Sequence, residues 1–569
     1  MFEIRAKDGL GRIGRLEIHG KVVETPALMP VINPKKAEIT PREMQDEFKA
    51  QMIITNAYII YESSLREEAL SRGIHSLLDF DGVIATDSGS FQLMNYGNIT
   101  VTNREIIEFQ QAIKSDVSTF LDIPTTPDST YEKASADLDS TLERAREAQH
   151  LNREKGIMNG TVQGGRFLDL REKACKVMAA MDFEIHPLGA VVPYLLKYSF
   201  TPLLDIILTC KKNLPIERPI HLFGAGHPLL LPLAVLCGCD LFDSAAYILY
   251  AKGDRYLTGS GTRNLEDLLY FPCECPVCSK TDPETVSRLP PPEKLAFLIR
   301  HNLYATFGEL KRIKQAIHEG SLWELVESRI RAHPNLLEAY HIMKKYSDFI
   351  ETYEPFTKRT GFFYTGAETQ FRPVVARVTS RIAPIQGETF EHPVFGQVPV
   401  SLSQTYPFHT DDVVKMTEHD MIRDITIYQF GVEAAPLFEK AKISYGRTGK
   451  VRHLHENTSL LATLRPMDGL FVLTLEGARK LHSLIPFPRR RVIADEEAQP
   501  FVKEGKDLFS KFVVSMDETL RAYEEVLITD REDTLLGVGR LLLSPPEVQS
   551  FKRGVAVYCR RGADAVRDP

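Results

Sequence analysis

A chain of 569 residues is too long for one ordinary hydrophobic core and implies two to four domains. Hydrophobic residues at 43% and charged residues at 25% are those of a soluble globular protein, which excludes a fibrous, disordered or disulfide-framed chain. A net charge of −7 argues against indiscriminate nucleic-acid binding, while leaving room for a local basic groove.

The N-terminus, MFEIRAKDGLGRIG, has no apolar core segment and no small-residue cleavage site. No signal peptide is expected, and a cytoplasmic chain without membrane contact is. Eight short apolar runs follow in order: PALMPVIN, QMIITNAYI, GVIATDSGS, VSTFLDIPT, GIMNGTVQGG, HPLGAVVP, PIHLFGAGHP and CDLFDSAAY. Each ends in polar or glycine-rich sequence, and helical stretches separate them. Such alternation predicts a parallel sheet with right-handed crossovers, and eight units predict a closed (β/α)₈ TIM barrel. The long apolar stretch PLLLPLAVLCGC is too short to span a bilayer and reads as a buried helix.

Active sites of such barrels sit at the carboxyl ends of the strands. Asp87 falls at the end of the third run, Asp122 at the end of the fourth and Asp243 at the end of the eighth. Any one of them alone is an ordinary helix cap or turn residue. Three at one barrel mouth point to an active site. Two converging carboxylates suit displacement at a sugar's anomeric carbon, one as nucleophile and the other managing a proton. Phe91, Gln163 and the glycines Gly164, Gly165 and Gly189 suit a flat heterocycle, with an aromatic to stack on it and backbone free to approach its edge.

Beyond the barrel, FPCECPVCSK packs Cys273, Cys275 and Cys278 into a tight knuckle. A structural zinc needs four S/N ligands, and His301 in the helical pattern downstream is the nearest candidate to complete the set. The remaining cysteines, Cys175, Cys210, Cys237, Cys239 and Cys559, lie among apolar neighbours and read as buried thiols.

DSGSFQ, HLFGAGHP, DLFDSAAY and CxCxxC with a downstream His together resemble the tRNA-guanine transglycosylases over about the first 345 residues, and FDSAAY and GAVVP resemble their archaeal branch. The resemblance implies a zinc-bearing TIM barrel that exchanges guanine at position 15 in the tRNA D-arm for 7-cyano-7-deazaguanine (preQ0), an early step toward archaeosine. It implies Asp243 as nucleophile at ribose C1′ and Asp87 as general acid/base, although the two roles are not separable from sequence. Asp122, Ser88, Phe91, Gln163, Gly164, Ala190, Val191 and Val192 would form the base pocket. Cys273, Cys275, Cys278 and His301 would hold one structural zinc. A homodimer is a further implication, with tRNA and a free 7-deazaguanine base as partners.

After HIMKKYSDFIETYEPF the strand–helix alternation fades into a proline-punctuated region, read as small α+β segments over residues 346–491. From residue 492 to 569, LFSKFV, EEVLITD and GVGR resemble a PUA domain, a compact RNA-binding β-barrel. Acidic and basic residues nearly balance there, so RNA contact is expected only at local clusters: Arg489, Arg490 and Arg491; Lys552 and Arg553; Arg560 and Arg561. The competing readings are a paralogue acting later, on the inserted nitrile, a non-catalytic RNA binder, and a zinc hydrolase. The full carboxylate set disfavours the first two, and a closed Cys₃His set disfavours the third.

Overall fold

The computed structural model describes residues 2–90, 101–152, 156–410 and 417–565. The chain divides into two compact units. The first is built mainly from Gly11–Ile317 and Ser328–Ile342, and the second from Ala6–Leu10, His318–Glu327 and the chain from Met343 onward.

Strands β1 (Phe2–Asp8), β2 (Gly11–Ile18) and β3 (Lys21–Thr25) form a small sheet. The eight apolar runs then become β4 (Ala27–Ile32), β5 (Met52–Asn56), β6 (Val83–Asp87), β7 (Val117–Thr119), β8 (Ile157–Asn159), β9 (His186–Leu188), β10 (Ile220–Leu222) and β11 (Leu241–Ser244). They make one parallel sheet in the order β8-β7-β6-β5-β4-β11-β10-β9. Parallel bridges from Asn159 to Ile185 and from Val162 to Leu188 bring its two ends together, so the sheet nearly closes on itself. Strands covered on both faces must be apolar throughout, which is why these runs are continuous rather than alternating. Residues Met52 to Ile54 and Val83 to Ala85 are all buried accordingly.

Register places the functional ends together. Asn56 pairs with Asp87 at the last step of β5 and β6, and Asp243 pairs with Met29 across β11 and β4. At the opposite end of β11, Arg12 makes a two-pronged contact with Asp240, at 2.7 and 2.8 Å, both residues being buried. Asp240 also accepts the backbone N–H of Ile220 at 2.9 Å, tying β10 to β11 below the mouth.

A hairpin of β12 (Arg255–Thr258) and β13 (Gly261–Asn264) follows the barrel, and then the long helix Pro291–Glu319. The second unit holds the hairpin β14 (Thr389–His392) and β15 (Gly396–Pro399). Next comes a four-stranded antiparallel sheet of β16 (Lys442–Tyr445), β17 (Val451–Glu456), β18 (Ser459–Leu464) and β19 (Phe471–Leu473). Helix Leu475–Leu484 packs on it, with Leu454, Ala462, Ala478 and Leu481 in a shared core. The chain ends in a six-stranded sheet of β20 (Arg491–Ala494), β21 (Leu508–Phe509), β22 (Val513–Met516), β23 (Glu525–Thr529), β24 (Leu535–Leu541) and β25 (Val555–Gly562), in the order β21-β25-β24-β23-β20-β22.

Candidate active site

A cavity of about 650 Å³ opens at the carboxyl ends of the barrel strands. Its polar lining includes Asp87, Asp122, Gln163 and Asp243, while Ile32, Phe223 and Leu229 supply apolar wall. Asp87, the last residue of β6, receives the side-chain N–H of Asn56 at 2.9 Å. Burial, then the charges of Asp122 and Asp243, lift its carboxyl from 3.8 to about 7, against the pull of the Gly89 and Ser88 backbone N–H groups. Gly89 holds φ at +100°, and a Cβ there would meet Tyr58 Cβ at 2.7 Å. The turn after Asp87 therefore requires glycine.

Asp122 is buried and accepts the side-chain N–H of Gln163 at 2.5 Å. Burial raises its carboxyl too, with hydrogen bonds from Ser90 and Gln163 opposing. Gln163 is fully buried, and its carbonyl Oε1 has no hydrogen-bond partner among the described residues. An unpaired buried acceptor at a cavity wall is costly unless a ligand supplies the donor. Gly189 lies against this pair: a Cβ there would sit 2.2 Å from Gln163 Nε2. Ala190 adopts φ +58°, a left-handed conformation that L-residues rarely occupy, and it lines the cavity beside Val192. Strain of this kind gathers at functional rims.

Asp243 is held by two donors on one oxygen. His221 Nε2 lies 2.8 Å from Oδ1, and the Gly224 N–H reaches the same oxygen at 2.9 Å. His221 is buried on β10, next to β11 in the sheet. Oδ1 is thus engaged twice, which fixes the orientation of the carboxylate at the cavity wall. The sequence reading missed His221, because a His inside an apolar strand looks like any buried strand residue. It also missed Arg171, whose buried guanidinium binds the carbonyls of Val162, Gly165 and Gly189 and fixes the loops that carry Gln163 and Ala190.

Three of the residues expected in the pocket are not among those that line the cavity. Ser88 is fully buried with its hydroxyl on Ser90 Oγ at 3.0 Å, and it is Ser90 that reaches the cavity. Gly164 packs on the helix Leu168–Ala179, where a Cβ would meet Arg171 N at 2.8 Å. Val191 is fully buried and lies outside the lining. Phe91 falls outside the described residues.

Cys273, Cys275, Cys278 and His301 offer ligand atoms that all lie within 4.8 Å of one another. Cys278 Sγ is 3.2 Å and Cys275 Sγ 3.7 Å from His301 Nδ1, and a tetrahedral metal with ligands at about 2.0–2.3 Å sets such edges at roughly 3.3–3.8 Å. The ring is oriented from behind by Nε2 on the Leu257 carbonyl at 2.8 Å and by the Tyr256 ring stacked at 3.4 Å. The next residue, Asn302, accepts the Leu257 N–H and donates to the carbonyls of Tyr247 and Arg255. The helix that carries the fourth ligand thus clasps the chain immediately after Asp243. These four residues fit a metal ion.

Residues 7–335 match the family model described as queuine tRNA-ribosyltransferase. Residues 355–418 match the C1 domain of tRNA-guanine transglycosylase dimerisation, 420–488 its patch-forming domain C2, and 490–563 a PUA domain. The chain is 48% identical over 578 residues to a protein of Thermococcus onnurineus named tRNA-guanine(15) transglycosylase, covering 99% of both. The chain belongs to the tRNA-guanine transglycosylase family. Proteins of the same name from Pyrococcus furiosus and Methanocaldococcus jannaschii are 48% and 42% identical, each with 99% of this chain covered and with 98% and 99% of their own length. This family member thus carries matches to the C1, C2 and PUA domains beyond its barrel.

In this transglycosylase chain most of the arginines expected to meet RNA are engaged with the protein itself. Arg490 and Arg491 are buried. Arg490 pairs with Glu524 and Arg491 with Asp533, and both also donate to backbone carbonyls. These two side chains brace the protein itself. Arg489 pairs with Glu433 and Arg560 with Glu525, while Arg561 is half-buried in β25. Lys552 and Arg553 stand exposed in the turn before β25. No helix of the described residues is long and apolar enough to cross a membrane.

Proposed function

We propose that this chain replaces guanine at position 15 of the tRNA D-arm with 7-cyano-7-deazaguanine, through an ester between Asp243 and ribose C1′. The name shared by relatives up to 48% identical over the whole chain supports the reaction. The observation that carries the mechanism is the cavity that joins Asp87, Asp122 and Asp243, with Asp243 Oδ1 fixed by His221 and Gly224.

Asp243 Oδ2 attacks C1′ as the C1′–N9 bond breaks, and Asp87 gives its proton to the departing guanine. A carboxyl lifted to about 7 still carries that proton near neutrality. Esterification removes the charge of Asp243, one of the groups that hold the proton on Asp87, so donation becomes easier as the bond forms. The incoming base then loses its N9 proton to Asp87 and displaces Asp243, which restores both carboxyls. Asp122 and Gln163 read the base edge, with Ser90 and the backbone of Ala190 beside them. The target nucleotide must leave its stack to enter the cavity.

Cys273, Cys275, Cys278 and His301 hold one structural zinc, since four protein ligands leave no open position for chemistry. Residues 1–345 perform the exchange, 346–491 link and dimerise, and 492–569 contact RNA, in the cytoplasm. The test is release of label from guanine-labelled tRNA transcript on addition of the free 7-deazaguanine base. Release by the wild type and not by Asp243→Ala, with a denaturation-resistant tRNA adduct at low free base, is expected. Binding without release from any tRNA would replace this reading with that of the later-acting paralogue or an RNA binder.

A further inference from the structure

Arg171 is fully buried, and among the described residues its guanidinium faces no carboxylate. The titratable groups around it are the thiols of Cys210 and Cys175 and the phenol of Tyr194. Its bonds go instead to three main-chain carbonyls: Nη1 to Val162 at 2.7 Å, Nη2 to Gly189 at 2.9 Å and Nε to Gly165 at 3.0 Å. A buried cation without a counter-charge costs far more than an apolar side chain of similar volume, so filling space does not account for it. The three carbonyls belong to the two loops that carry the base-reading groups. Val162 and Gly165 flank Gln163 after β8, and Gly189 precedes Ala190 after β9. The Val162 carbonyl also accepts the Gly189 N–H at 3.0 Å, so one oxygen ties both loops to the guanidinium.

These bonds set the direction of one peptide. A trans peptide places its C=O and N–H on opposite sides. The Gly189 carbonyl is drawn back onto Arg171, so the Ala190 N–H of the same trans peptide is turned away from it. Ala190 lines the cavity and Arg171 does not. Among the described residues the Ala190 N–H has no hydrogen-bond partner. The left-handed φ of +58° at Ala190 and the crowding of Gly189 against Gln163 leave this turn little freedom to reorient. An open donor held rigidly at a cavity wall is matched by an acceptor on a bound ligand. The charge on Arg171 adds to this, because a carbonyl bonded to a cation makes the N–H across its peptide a stronger donor.

We propose that Arg171 is a positioning residue for base exchange: through the Gly189–Ala190 peptide it presents the Ala190 N–H as a fixed donor to the bound base, and it holds the loop of Gln163 in step. This inference rests on the base-exchange reading above. Arg171 touches neither base nor ribose and acts only through the two loops. The test compares full-length wild type with Arg171→Met and Arg171→Lys. Calorimetry gives the Kd of free 7-cyano-7-deazaguanine, and filter binding gives the Kd of a tRNA transcript. Base binding should weaken about tenfold or more in Arg171→Met, the scale of one well-placed hydrogen bond. Arg171→Lys keeps the charge without the planar fork and should recover part of that loss. Affinity for tRNA should be unchanged in both, a separation that general loosening of the barrel would not produce. Undiminished base binding in both variants, or a parallel loss of base and tRNA binding, would overturn the proposal. Should Arg171→Met not fold, Arg171→Lys decides alone by the same two constants. Failure of the exchange reading has a different signature, since wild-type protein itself would then release no guanine from any tRNA.

Discussion

Replacing Asp87 by Asn should stabilise the protein in alkaline solution while abolishing exchange. In the folded chain this carboxyl sits at about 7 instead of 3.8, because burial and two neighbouring carboxylates disfavour its charge. The folded state therefore binds more protons than the unfolded state between roughly pH 4 and 7, and stability falls as pH rises through that window. Lifting a carboxyl from 3.8 to about 7 corresponds to about 4 kcal/mol lost once the group is fully ionised. Asn at this position carries no charge to desolvate, and its carbonyl can still accept from Asn56. Its amide cannot accept from the Ser88 and Gly89 N–H groups, so about 4 kcal/mol is the ceiling of the gain. Thermal melting of wild type and Asp87→Asn from pH 4 to 8.5 measures it, at roughly 1–2 °C per kcal/mol for a unit of this size. The variant should melt several degrees higher at pH 8 and converge with the wild type at pH 4. A gain that is absent, or that does not depend on pH, would refute the claim that Asp87 carries a displaced proton.

The buried contact between His221 and Asp243 should matter for rate more than for affinity. His221→Phe should lower the single-turnover rate by about 10²–10³-fold, as loss of one preorganised donor does, and His221→Gln should restore much of it; an undiminished rate in the Phe variant would remove His221 from the mechanism. Gly189→Ala places a Cβ against Gln163 Nε2, so KM for the free base should rise about tenfold or more, read from initial rates at saturating tRNA. Arg12→Met leaves Asp240 buried without its guanidinium and should cost about 3–5 kcal/mol in urea unfolding, with the sites at the mouth unchanged in sequence. Cys278→Ser should remove bound zinc, measured by atomic absorption, and lower the melting temperature; lost activity with unchanged melting would contradict a structural role for the metal.

The barrel was legible because parallel strands buried on both faces are apolar runs cut off by glycine and polar residues, and all eight runs became barrel strands. The three carboxylates were legible for the same reason, each standing where a run stops. His221 was not, since its role depends on β10 lying beside β11 in register, which no local pattern encodes. That Ser90 lines the cavity was not legible, because a turn centred on a left-handed glycine decides which hydroxyl faces inward. Arg490 and Arg491 looked like a surface charge run, but their partners Glu524 and Asp533 lie far along the chain and meet them only in the folded sheet.

The clasp of His301 and Asn302 on Tyr247, Arg255 and Leu257 ties the cysteine knuckle to the chain that follows Asp243. Asp243 makes none of these contacts, so its substitution should leave the knuckle in place, whereas a change at His301 or Asn302 removes bonds to the chain on which Asp243 is mounted. In a lineage of duplicated copies, the knuckle should outlive the carboxylates.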